Sequence, residues 1–261
     1  VLQAQTITFA QPANVAITTT SINLGATAIG TGITADPRYR EAAVRHLAII
    51  SGLEITSAPD LIEATSDAGG FMSFSGTLKR SAIKLSKISN DLRLLSSGPQ
   101  AGLGEINLPA QQAGSSIMPG KVNPVIPEAV SQVAYAIAGN DVTVTMAAEG
   151  GQLQLNAFEP VIAYSLLQGI SWLAQACMTL RVNCVTGITA NVERLEGMVA
   201  SSVGVITALI PFIGYAPAAE LAKQALKTGR PVADLVVEAG LMSKEDVLRE
   251  LSPAKISGME A

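Results

Sequence analysis

The stretch Gly114-Ser115-Ser116-Ile117-Met118-Pro119-Gly120-Lys121-Val122-Asn123-Pro124, with Glu128 beyond it, holds the densest set of chemically competent side chains in the sequence. Two adjacent hydroxyls lie between glycines. A lysine and an asparagine follow at alternate positions, and Pro124 opens a helix. Small residues of this kind do not build a core. They close over a small anionic molecule, with hydroxyls, an ammonium and an amide converging on it. Each residue also has a plainer explanation: Gly, Ser, Asn and Pro form turns. Lys121 alone is a solvated charge, and Glu128 alone is a favourable charge at a helix start. The joint spacing Gly-Ser-Ser-x-x-Pro-x-Lys-x-Asn, with Glu128 following, is far more specific than any one of them. Gly114 and Gly120 flank the serines as hinges would, so the loop is expected to close for catalysis.

The elements that must position this loop are helical. The chain has 261 residues, 48% hydrophobic and only 4% aromatic, which favours close-packed helices over an aromatic-rich sandwich. Seventeen basic and 21 acidic residues give a net charge of −4. No basic run points to nucleic acid. His46 is the single histidine, with no Cys or carboxylate at ligand spacing, so no metal site is expected. Cys177 and Cys184 suit buried free thiols in the reducing cytosol. The first residues lack a basic segment followed by an apolar run, so a cytoplasmic location is expected.

Asp36-Pro37 reads as a helix start and Gly52 as its stop. A second helix is predicted from about 60 to 96, with Phe71, Phe74, Leu78, Ser81, Leu85, Ile88, Leu92 and Leu95 on a heptad seam. It would be about 55 Å long, bent or approached at Gly69-Gly70, with Lys79, Arg80, Lys84, Lys87 and Arg93 on its wetter faces. Helices over about 124–146 and 159–187 follow. The last is apolar enough to resemble a membrane span, but Gln168, Ser171, Gln175 and Arg181 interrupt it, so a bundle helix and no membrane are expected. The glycine run Asn23 to Gly32 is read as a close approach of backbone to another element. From Thr189 the helices shorten, to about 192–201, 217–227, 231–239 and 243–251. The fold class is all-α: a long-helix bundle over 1–188 and a small C-terminal helical domain over 189–261.

The signature Gly114 to Glu128 resembles that of the aspartase/fumarase superfamily. So do Gly25-Ala26-Thr27-Ala28-Ile29-Gly30-Thr31-Gly32, Thr65-Ser66-Asp67 and Asn90 to Pro99. Met146 to Asn156 is similar to the aspartase branch rather than the fumarases. The resemblance implies an all-α homotetramer with active sites shared between subunits, and no cofactor. It implies a small dicarboxylate substrate: L-aspartate, reversibly losing ammonia to give fumarate. By the same resemblance Ser115 is the base that takes a proton from the carbon beside the side-chain carboxylate. Ser116, Lys121 and Asn123 bind substrate and stabilise the aci-carboxylate, and Glu128 supports the family's histidine. Two features depart from the family. The N-terminal domain, the first helices of the central domain and that histidine are not in this chain, so it is expected to be a C-terminal fragment, an altered chain or ordered pieces joined together, and inactive by itself. Gln100 stands where the family often has Arg. A fumarase, a non-catalytic structural relative and a helical binding module are the rival readings.

Overall fold

A computed structural model describes residues 21–112 and 122–259 of the chain. Contacts divide these residues into two units. The first holds 21–99 and 108–188; the second holds 100–107 and 189–259.

The first unit opens with a short parallel pair, β1 (Ser21–Ile22) and β2 (Thr56–Ser57). Between them runs α1 (Pro37–Ser51). Asp36 caps it by accepting from the Arg38 backbone N–H at 2.9 Å, Pro37 occupies the first turn, and Gly52 ends it in the left-handed conformation, as expected. His46 lies exposed on this helix. The glycine run does what its composition suggested. A Cβ on Gly30 would fall 2.3 Å from the Ile62 Cα and 2.5 Å from the Leu61 carbonyl oxygen, and φ there is +86°. Only glycine fits such a contact. The Asn23 amide adds a 3.3 Å hydrogen bond to Thr65 Oγ1, so the run is fastened to the segment before the bundle.

The single long helix predicted over 60–96 is two. Helix α2 (Glu63–Ser66) stops at Asp67, whose backbone is extended, and α3 (Gly69–Leu95) begins after it. The Asp67 carboxylate accepts from the Gly69 N–H at 3.0 Å, so Gly69 starts a helix rather than bending one. With 27 residues, α3 is about 40 Å long.

Helix α3 packs antiparallel on α4 (Val125–Glu149), and α4 packs antiparallel on α5 (Glu159–Leu180). The buried seam of α3 is Ser75, Ala82, Leu85, Ser86 and Ser89, displaced from the predicted heptad. Phe74, Leu78 and Leu92 flank it, while Phe71 is exposed. Small residues let the α3 and α4 backbones approach closely. Gly169 on α5 similarly admits Leu78 and Ile137. The α5 seam keeps Ile162, Leu166, Leu180 and Cys184, but Ile170 is 40% exposed. Helix α5 with the turn after it is long and apolar enough to cross a membrane by length and composition. One face packs on the bundle, and the other leaves Tyr164 and Leu167 exposed.

One carboxylate is buried in the α3–α4 seam. Asp141 accepts from the Ser75 hydroxyl at 2.8 Å and from the Lys79 ammonium. Lys79, expected on a wet face, thus bridges the two helices. Burial alone would raise the Asp141 pKa, but the contacts from Lys79 and Ser75 outweigh it, and the group titrates below the ordinary carboxylate value.

The second unit is built on α6 (Val192–Ser201), a 3₁₀ turn (Val203–Leu209), α7 (Ile210–Ile213), α8 (Tyr215–Thr228), α9 (Val232–Glu238), α10 (Lys244–Glu250) and α11 (Pro253–Ile256). Its core joins Leu209, Leu221, Leu235, Val236 and Val247. Residues 100–107 belong to it through an antiparallel pair, β3 (Ile106–Asn107) with β4 (Thr189–Ala190). The Arg194 guanidinium donates to the Gly102 and Leu103 carbonyls, and the Asn191 amide donates to the Gly104 carbonyl at 2.7 Å.

Two outcomes test this architecture. Gly30→Ala is expected to cost about 3 kcal/mol or more, because the new methyl meets backbone on the opposite side. Denaturant unfolding of the variant measures it, and a change near zero would contradict the contact. Asp141→Asn is expected to cost about 2 kcal/mol near neutral pH. Because the folded pKa of Asp141 is depressed, its contribution is complete above the unfolded value near 4 and is lost as pH falls through the folded value. The stability gap between wild type and variant should therefore close in acid. A gap independent of pH would contradict the pairing.

Candidate active site

The signature enters after Leu108 and leaves into α4, and both flanks rest on the same part of the bundle. Leu108 and Ile126 pack against a core of Leu85, Val130, Ala176, Leu180 and Cys184. Helix α5 ends in a π-turn (Arg181–Val185), closed by the Thr186 hydroxyl donating to the Arg181 carbonyl at 2.8 Å. Such turns recur beside functional sites. Here the turn brings Cys184 and Asn183 against Pro109, Gln111, Asn123 and Pro124 around a crevice too narrow for a water molecule. Gly187 lies so close to Pro109 that a Cβ would stand 2.8 Å from the ring. Burial raises the thiol pKa of Cys184 and of Cys177, so neither is an activated nucleophile.

Of the residues singled out from the sequence, Ser115, Ser116 and Lys121 lie outside the described residues, as do Gly114 and Gly120 and with them the expected loop closure. Asn123 and Glu128 are described, and the structure brings them to one helical start. Asn123 is half-buried, and its carbonyl accepts from the Val125 N–H at 2.8 Å. The Pro124 carbonyl accepts from the Glu128 N–H at 3.1 Å, which sets Glu128 in the first turn of α4. There a carboxylate is favoured by the helix dipole. Arg93, in the last turn of α3, places Nη2 3.8 Å from Glu128 Oε1. Its Nη1 donates to Asn90 Oδ1 at 3.2 Å.

The sequence reading assigned Arg93 only to a wet face of its helix. The available signal was its place in the Asn90–Pro99 motif, at the end of the helix that precedes the signature. Among the described residues, no group of three or more His, Cys, Asp or Glu side chains is arranged to hold a metal ion. Two open grooves lie elsewhere, one lined by Phe212, Leu241, Ser243 and Arg249, the other by Arg40, Val44, Ile49 and Ile55. Neither includes a signature residue. The described part offers a frame of two packed flanks, with Asn123 just before α4 and the Glu128 carboxylate 3.8 Å from the Arg93 guanidinium.

Comparison with known proteins agrees with this frame. Residues 12–139 match the family model described as "Lyase", and residues 205–258 match "Fumarase C C-terminus". The chain is 60% identical over 233 residues to an aspartate ammonia-lyase of Pseudomonas fluorescens, covering 88% of this chain and 49% of that protein. It is 54% identical over 226 residues to the aspartate ammonia-lyase of Escherichia coli K12, covering 87% of this chain and 47% of that one. Among solved structures, the fumarate lyase:delta crystallin of Brucella melitensis bound to cobalt superposes with a TM-score of 0.87 at 54% identity, covering 91% of this chain and 52% of that one. The class II fumarase of Schistosoma mansoni gives 0.84 at 32% identity, covering 93% and 54%. The chain spans about half the length of the curated relatives it matches. The signature, the all-α bundle that frames it and these likenesses together place the chain in the aspartase/fumarase superfamily.

Proposed function

We propose that the native protein containing this chain is an aspartate ammonia-lyase, interconverting L-aspartate with fumarate and ammonia. The observation that carries the reading is the signature spacing within a chain 54–60% identical to proteins named aspartate ammonia-lyase. Ser115 is the base. Its hydroxyl has no useful basicity in water, so its anion must be stabilised by loop N–H groups and a nearby ammonium. It takes the proton from the carbon beside the substrate's side-chain carboxylate. The electron pair moves into that carboxylate to give a doubly negative aci-carboxylate. The carbon–carbon double bond then forms as the carbon–nitrogen bond breaks and ammonia leaves.

Lys121 and Asn123 supply a charge and an amide donor where the negative charge grows. Donors preorganised in this way lower such barriers by several kcal/mol. Ser116 donates to a substrate carboxylate, and Glu128 orients a proton-carrying group supplied from elsewhere in the assembly. No cofactor is required.

The assembly we propose is a cytoplasmic homotetramer with sites shared between subunits. Supporting this, Val142, Tyr164 and Leu167 are 62%, 64% and 67% exposed on the bundle helices. Soluble monomers rarely leave contiguous apolar faces of this kind uncovered. Leu85, on the predicted heptad seam, is 4% exposed inside its own chain, so a charge there would damage the fold rather than the assembly alone.

Three outcomes follow. The native protein should release fumarate from L-aspartate, read by ultraviolet absorbance, and should leave L-malate unchanged. Turnover of malate alone would make it a fumarase. Ser115→Ala should keep its circular dichroism and lose at least about a thousandfold in kcat; near-normal turnover would remove Ser115 from the base role. Leu167→Glu should yield folded, inactive subunits of lower mass by light scattering. An active monomer would contradict the shared site.

A further inference from the structure

The antiparallel pairing that sets Ser75 against Asp141 and Ser86 against Ser131 continues to the ends of α3 and α4. By that register Ser89 lies level with Pro127, and both are fully buried. The Ser89 hydroxyl has no hydrogen-bond partner among the described residues, and Pro127 has no N–H to offer one. At this level the seam is held by shape, not by polar contacts. The polar link between the two helix ends is made instead by Asn90, Arg93 and Glu128.

Stability does not require that link. Arg93 at the end of α3 and Glu128 at the start of α4 each suit their own helix dipole without a partner. Their side chains are 41% and 42% exposed, and ion pairs so exposed contribute little to folding. What the link does is geometric. Nη1 of the planar guanidinium donates to Asn90 at 3.2 Å while Nη2 stands 3.8 Å from Glu128 Oε1 as an ion pair, a division between two partners that the point charge of a lysine does not reproduce. Oε1 is the carboxylate oxygen that faces the guanidinium.

We propose that Arg93, itself oriented by Asn90, is a positioning residue that aims the Glu128 carboxylate during the elimination. Arg93 does not touch substrate. Its charge draws the Glu128 carboxylate toward the end of α3 and so sets the direction from which that carboxylate orients a proton-carrying group. The proposal rests on the ammonia-lyase reading given above.

The test uses the native protein with Arg93→Met, Arg93→Lys, Glu128→Gln and the Arg93→Met/Glu128→Gln double variant. Arg93→Met should lower kcat for L-aspartate by about tenfold or more, with KM within about twofold and the melting temperature unchanged. Arg93→Lys should recover only part of that loss. The double variant should match Glu128→Gln alone, because Arg93 acts only through Glu128. A crystal structure of Arg93→Met should show the Glu128 carboxylate in a new rotamer. Multiplicative losses in the double variant, or an unmoved Glu128 in the crystal, would overturn the proposal. If the wild-type protein does not deaminate aspartate, the lyase reading fails by itself, and the crystal still decides whether Arg93 positions Glu128.

Discussion

Helices α3 and α4 meet through Ser75, Ala82, Ser86 and Ser89 on one side and Val130, Ser131, Ala134 and Asp141 on the other. These side chains are short, so the backbones approach closely and the register has little freedom. Apolar packing alone would tolerate a slide along such a seam. The Asp141 carboxylate, buried and paired with Ser75 and Lys79, does not, since any slide would leave it buried without partners. The end of α3 and the start of α4 are therefore brought together. These are the points at which the chain departs toward the signature and returns from it. The geometry of Asn123, Glu128 and Arg93 follows from a register fixed by groups remote from them in sequence.

Punctuation and spacing were the legible part of the sequence. Asp36, Pro37 and Gly52 mark the limits of α1 because capping and left-handed termination are local events. Gly30 was legible as a close contact because a glycine-rich run has few other uses, and the contact with Leu61 and Ile62 bears that out. The seam of α3 was not legible in the same way. Serines score as polar in a heptad pattern, so the predicted seam held Phe71, which is exposed, and left out Ser75, Ser86 and Ser89, which are buried. The break at Asp67 was also missed, since a carboxylate that accepts its neighbour's N–H resembles any other helical acid. The attachment of residues 100–107 to the second unit depends on backbone pairing and on carbonyls held by Arg194 and Asn191. Those interactions leave no pattern in residue types.

The candidate site divides along the same line. Asn123 and Glu128 could be found by their spacing from the paired serines. Arg93 could not, because its relation to Glu128 exists only after two helices pack. In the function proposed above, the base, the carboxylate donors and the supporting acid all come from one continuous segment. The bundle decides how that segment begins and ends. Exposed apolar residues on α4 and α5 suit a bundle that continues into neighbouring subunits, which is how an active site assembled from several chains would be built.

The most direct test of the account is a crystal structure of the native protein with succinate, a dicarboxylate that has no amine to eliminate. The account predicts one succinate carboxylate within about 3 Å of the Ser116 hydroxyl, the Lys121 ammonium and the Asn123 amide, with Ser115 facing the adjacent carbon and Arg93 still paired to Glu128. Succinate bound instead in the groove of Phe212 and Arg249, with the signature residues empty, would contradict it.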